Sequence, residues 1–192
     1  LLRRITRHEK TLQLQNKPVG RIDEIESIFQ GQSYGCTHEM GKTAEECAGI
    51  YNELQKYMLT KTRLGIPILT AVEGIQGILQ NNSTLFPHSI AQGSTFNPEL
   101  TDAAGKEAAA MGIHQVLSPV FDIARELRWG RVEETYGEDP FLISEMGIGF
   151  VKGYQKHQIT CTPKHFVAHG IALLSVAVNG NSGVSIFILL PV

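Results

Sequence analysis

Three separate stretches of this sequence carry side chains suited to holding a hydroxyl-rich molecule. The first closes an apolar run with Val72-Glu73-Gly74. The second passes through Phe121-Asp122-Ile123 into Arg128-Trp129-Gly130-Arg131. The third holds Lys164-His165-Phe166, followed by His169-Gly170. A carboxylate accepts hydrogen bonds from hydroxyl groups, whereas Arg, Lys and His donate to them, and a Trp face offers an apolar platform. Bonds with one charged partner are the stronger class, about 1.5–3 kcal/mol net each. One carboxylate, one or two guanidiniums, a lysine and an imidazole together suit a neutral, polyhydroxylated ligand. Asp122, Arg128, Trp129 and His169 stand as their support, with Asp122 expected to orient an arginine and Trp129 to pack rather than face ligand. The plainer alternative is a salt-bridge network, with Arg131 tied to Glu133 or Glu138 and Glu73 to one of the cations.

These side chains need a scaffold that brings distant segments to one rim. Residues 66–72, 116–123 and 159–167 are apolar runs rich in β-branched residues, and each is followed by polar positions. Between them lie helix signals. Thr43 with Glu46 three positions later is a capping box, followed at helical spacing by Ala44, Cys47, Ile50, Tyr51, Leu54 and Met58. Asn97-Pro98-Glu99 starts an Ala-rich helix that stops at Gly112. Asp139-Pro140 opens another, with Phe141, Leu142, Met146, Phe150 and Tyr154 on one side. Strands buried on both faces and alternating with helices predict an α/β fold with a parallel sheet, where ligands sit at the carboxyl ends of the strands. Pro119 and Pro163 fall inside two of the runs, and the missing N–H places them at bends or strand ends. Residues 1–42 are polar with weak periodicity and read as a lead-in. Residues 43–170 hold the β/α units, and 171–192 form an uncharged tail.

Composition narrows the partners. Seventeen basic and nineteen acidic residues in 192 give a net charge of −2 with no basic cluster, which argues against nucleic acid. Residues 184–192 are apolar but far short of the roughly 20 residues that cross a bilayer. The four basic residues among the first ten precede no apolar run, so no signal peptide is expected, and no compartment is assigned. Cys36, Cys47 and Cys161 form no CxxC pair and read as ordinary reduced thiols. His165 and His169 have the i, i+4 spacing of a helical zinc pair. On a strand end that spacing is not one face, and no third ligand is evident, so no metal is expected. Nothing suggests the apolar pocket a Schiff-base Lys164 needs, and no cofactor is implied.

Leu64-Gly65-Ile66-Pro67, Phe86-Pro87, Arg128-Trp129-Gly130-Arg131, the run from Glu133-Glu134 through Thr135-Tyr136-Gly137 to Glu138-Asp139-Pro140, and Lys164-His165-Phe166 stand in a characteristic order. Together they resemble the N-terminal domain of family 3 glycoside hydrolases over residues 9–170. The resemblance implies a TIM-type (β/α)8 barrel, incomplete at this length. It also implies that Arg131, Lys164 and His165 hold the non-reducing sugar in the −1 subsite. An acid at the end of the first strand does the same, which points to Glu73, where many relatives have the shorter Asp; Gln76 stands where many have His. The full Arg-Trp-Gly-Arg stretch looks more like the β-glucosidase and β-xylosidase branch than the β-N-acetylglucosaminidases.

In that family the nucleophilic Asp follows later in the barrel and the acid/base comes from a following domain. No catalytic residue is therefore assigned in this chain, and the isolated chain is expected to be inactive. The expected ligand is a terminal β-linked glucose or xylose, and an open barrel edge predicts self-association. The alternative reading is a non-catalytic paralogue that binds sugar or another chain.

Overall fold

The computed structural model describes residues 1–166 and 169–171. The tail assigned to 171–192, apart from the backbone of Ile171, lies outside the described residues. Strands β1 (Cys36–His38), β2 (Leu69–Val72), β3 (Gln115–Val116) and β4 (Thr160–Cys161) form one sheet in the order β1-β2-β3-β4, every pair parallel. Each crossover carries a helix: α3 (Ala44–Lys61) after β1, α4 (Ser89–Gly93) and α5 (Asp102–Ala110) after β2, and α6 (Pro140–Gln155) after β3. This is the expected α/β order, extended by one strand at its start.

That first strand lies inside the segment read as a lead-in. Two short helices precede it, α1 (Arg7–Leu12) and α2 (Ile25–Phe29). The capping box that starts α1 was present in the sequence, since Thr6 Oγ1 accepts from Glu9 N and the Glu9 carboxylate accepts from Thr6 N. Three residues of strand leave no such signal.

α3 begins where the spacing predicts. Thr43 accepts from Glu46 N at 3.2 Å, and the Glu46 carboxylate accepts from Thr43 N at 2.7 Å. Its inner face buries Cys47, Ile50, Tyr51, Leu54, Tyr57 and Met58. These pack with Phe29, Val72, Val116 and Tyr154 into the main core. Thr43→Ala is expected to cost about 1 kcal/mol, or about 2–4 °C in Tm for a chain of this size, as read by thermal melting.

Asp139 caps α6 and Pro140 takes its first turn, but the buried face is Ile143, Met146, Gly147, Phe150 and Tyr154. Phe141, expected on that side, is 72% exposed. Gly147 is required by close approach: a methyl group there would stand 1.9 Å from the Phe121 ring. Through Phe121 the helix thus braces the chain beside Asp122.

The strands are shorter than the apolar runs. β3 ends at Val116, and Pro119 follows with no N–H to donate. The ladder nonetheless persists as single bonds. Leu117 N donates to Val72 O at 2.9 Å, Lys164 N to Pro119 O at 2.9 Å, and an isolated parallel bridge joins Val120 to Lys164. The chain thus leaves the regular sheet while staying in register, which carries the polar residues to the sheet's carboxyl end. Among the described residues no helix is long and apolar enough to cross a membrane.

Candidate functional site

Glu73 follows the last residue of β2, Asp122 lies beyond β3, and Lys164 and His165 lie beyond β4, so successive strand tips deliver them to one side of the sheet. Lys164 Nζ donates to both Glu73 carboxylate oxygens, at 3.0 and 2.9 Å. The Lys164 side chain is 8% exposed and that of Glu73 26%, so the pair is only partly screened by water. Asp122, 6% exposed, accepts three bonds: from His165 N (3.1 Å), from His165 Nδ1 (2.7 Å) and from Gly170 N (3.0 Å). Burial alone would raise its pKa. The His165 bonds and charge together with the Gly170 N–H outweigh burial and hold the carboxyl below its ordinary value.

Nδ1 of His165 faces Asp122, which leaves Nε2 turned toward Arg131, whose Nη1 stands 3.2 Å from it. Arg131 also grips Glu134, through Nε at 2.7 Å and Nη2 at 2.5 Å. Its guanidinium lies 5.9 Å from the Trp129 ring centroid. Trp129 is 4% exposed and meets the His169 ring edge-on at 5.1 Å. The His165 and His169 rings are 4.6 Å apart. Hydrogen bonds and ring contacts link His165, Arg131, Trp129 and His169, and the Glu73–Lys164 pair stands beside them, the Glu73 charge acting on the Arg131 guanidinium.

The structure changes three of the sequence expectations. Asp122 orients a histidine rather than an arginine, because His165 offers it both a backbone and a ring donor. Arg131 takes Glu134, one helical turn away, not Glu133 or Glu138. Arg128, expected in support, has a side chain 74% exposed and closes on Glu126 through Nε and Nη2, both at 2.8 Å, outside the cluster. Trp129 packs, as expected.

His38 was missed altogether. At the end of β1 it pairs in register with Ala71, two residues before Glu73. Burial holds its imidazole below the ordinary value; Lys164 pushes the same way and Glu73 opposes. Its Nε2 is buried without a partner among the described residues.

A hollow of about 570 Å³ beside Pro98 and Lys152 lies apart from this cluster and shares no lining residue with it. The cluster is a floor, with Arg131 34% and His165 13% exposed in their side chains. Among the described residues no three His, Cys, Asp or Glu side chains are grouped to hold a metal.

A parallel β/α sheet whose strand tips gather an acid, two cations and a carboxylate-held histidine matches the architecture in which barrel proteins carry their sites at the carboxyl rim. The model described as "Glycosyl hydrolase family 3 N terminal domain" matches residues 6–183, and the chain belongs to that family. It is 38% identical over 125 residues to a β-xylosidase of Formosa agariphila, covering 56% of this chain and 17% of the relative. It is 31% identical over 180 residues to a periplasmic β-glucosidase of Salmonella typhimurium, covering 88% of this chain and 23% of the relative. A β-glucosidase structure from Erythrobacter marinus superposes with a TM-score of 0.78 at 28% identity, covering 89% of this chain and 25% of that one. The chain thus spans about a fifth of the length of the curated relatives it matches.

Proposed function

We propose that the whole protein cleaves terminal β-linked glycosides with retention, and that this chain supplies the floor on which the non-reducing sugar sits. The observation that carries the reading is the meeting of Glu73 and Lys164 from two strand tips, beside the His165–Arg131 contact. Without ligand these groups satisfy one another. A pyranose offers hydroxyls that both donate and accept, so it can insert between carboxylate and ammonium while keeping each charged group bonded. His165, fixed by Asp122, offers one defined nitrogen and so adds orientation. The β-xylosidase and β-glucosidase named among the relatives support the sugar class, glucose or xylose.

Retention needs a nucleophilic carboxylate and an acid/base carboxyl about 5–5.5 Å apart. Glu73 is engaged by Lys164 and serves binding in this reading, and the family resemblance puts the catalytic pair outside the residues named here. The 192-residue chain alone is therefore expected to bind sugar weakly and turn over nothing. Incubation with aryl β-glucoside and aryl β-xyloside, paired with calorimetric titration of glucose and xylose, tests both halves. Arg131→Ala is expected to weaken sugar binding about tenfold, the worth of one charge-assisted bond. Turnover that disappears in Arg131→Ala would show that the catalytic groups lie within this chain.

A further inference from the structure

We propose that Ser118 is a positioning residue that sets where the Glu73 carboxylate stands relative to Lys164; this rests on the sugar-floor reading above. Glu73 lies beyond the last paired residue of β2, where regular strand bonding no longer fixes its backbone. The chain around it is nevertheless held from both sides by two consecutive residues. Leu117 N donates to the carbonyl of Val72 at 2.9 Å, and the N–H of Gly74 donates to Ser118 Oγ at 3.1 Å. The peptide before Glu73 and the peptide after it are thereby both pinned, which fixes the direction of its Cα–Cβ bond.

The same segment also registers the cation. The carbonyl of Ser118 accepts from Thr162 N at 3.0 Å, and that of Pro119 accepts from Lys164 N at 2.9 Å. Ser118 thus touches the acid's strand through its side chain and the lysine's strand through its backbone. It is wholly buried.

Two further observations make the clamp specific. Tyr154, also wholly buried, donates its hydroxyl to the carbonyl of Gly74 at 3.3 Å, so both polar groups of this glycine are taken. A methyl group on Gly74 would stand 2.9 Å from Val116, so the close approach to β3 that brings Ser118 within reach needs glycine at this position. The side chain of Ser118 therefore acts on ligand only through Glu73.

The test is a double-mutant cycle on the 192-residue chain. Ser118→Ala, Glu73→Gln and the pair are titrated with glucose at low temperature by calorimetry, and the Lys164 Nζ resonance is recorded in each. Ser118→Ala is expected to weaken glucose about fivefold and to add nothing in the Glu73→Gln background. It is also expected to move the Lys164 signal toward that of an exposed lysine. An equal loss in both backgrounds would make Ser118 a general support of the fold, and unchanged affinity with an unchanged Lys164 signal would remove its role; either result overturns the proposal. Should Ser118→Ala fail to fold, Ser118→Cys, whose sulfur is a weaker acceptor, is expected to give a partial loss with the same dependence on Glu73. Absence of glucose binding by the unaltered chain counts against the sugar reading, and the Lys164 resonance then decides the role of Ser118 alone.

Discussion

Lys164→Met will abolish sugar binding and destabilise the chain by about 2–3 kcal/mol. Removing one member of a buried ion pair leaves the other charge uncompensated, which costs about 3–5 kcal/mol when both are fully buried. Glu73 keeps 26% of its side-chain surface, so water recovers part of that loss and the lower range applies. Methionine retains the aliphatic stem, so the change reports charge rather than packing. Urea unfolding should show a lower midpoint with an unchanged slope. A loss below about 0.5 kcal/mol would instead mark the pair as a solvent-screened surface bridge. Combining Lys164→Met with Glu73→Leu separates the structural role from binding. Replacing both partners of a buried pair by apolar groups is often neutral or stabilising. Stability should therefore recover in the double variant while sugar affinity does not.

Asp122→Ala is the second large effect. It strips acceptors from the His165 N–H, the His165 ring and the Gly170 N–H at once. Each buried donor left without a partner costs about 1–3 kcal/mol, and partial relaxation brings the expected total to about 3 kcal/mol. Binding should suffer as well, because His165 then loses the bond that fixes which ring nitrogen faces Arg131.

The pH dependence has a definite direction. The folded pKa of Asp122 lies below its ordinary value, so its contribution is fully present above about pH 4 and fades as pH falls through the lower, folded value. In Asp122→Ala the acid limb of the stability profile should be flatter below about pH 4 than in the unaltered chain, measured by urea unfolding from pH 7 downward.

Helix starts were legible because their signals are local. Thr43 with Glu46, Asn97 with Pro98, and Asp139 with Pro140 each place a capping acceptor near the free N–H groups it serves, and each begins a helical turn in the structure. The strands were legible as apolar runs but not in length, since Pro119 ends regular pairing while bonds from Leu117 and Lys164 carry the register onward. β1 escaped notice because three residues in a polar segment show no alternation to read. Its omission hid His38.

At the site, residue types at strand tips suggested the set and the family resemblance singled out Glu73, Arg131, Lys164 and His165; the structure sets Glu73 on Lys164 and His165 beside Arg131. What sequence could not rank was which partner each would take. Asp122 was expected to orient an arginine, yet the chain returns His165 against it from 43 residues away. Glu133 and Glu138 were the candidates for Arg131, but the helical turn at Val132–Glu134 sets Glu134 on the guanidinium. Arg128 shares a tetrapeptide with Arg131 but is held outward by Glu126, a local fork that satisfies both charges in solvent.

The most direct test of the shared floor is a glucose titration of the 192-residue chain followed by side-chain NMR. Saturable, concerted shifts of the Lys164 Nζ, His165 ring and Arg131 Nε signals, fitting one dissociation constant and lost in Lys164→Met, are the predicted result. Shifts confined to residues around the hollow beside Pro98 and Lys152, or none at all in the presence of saturating sugar, would contradict it.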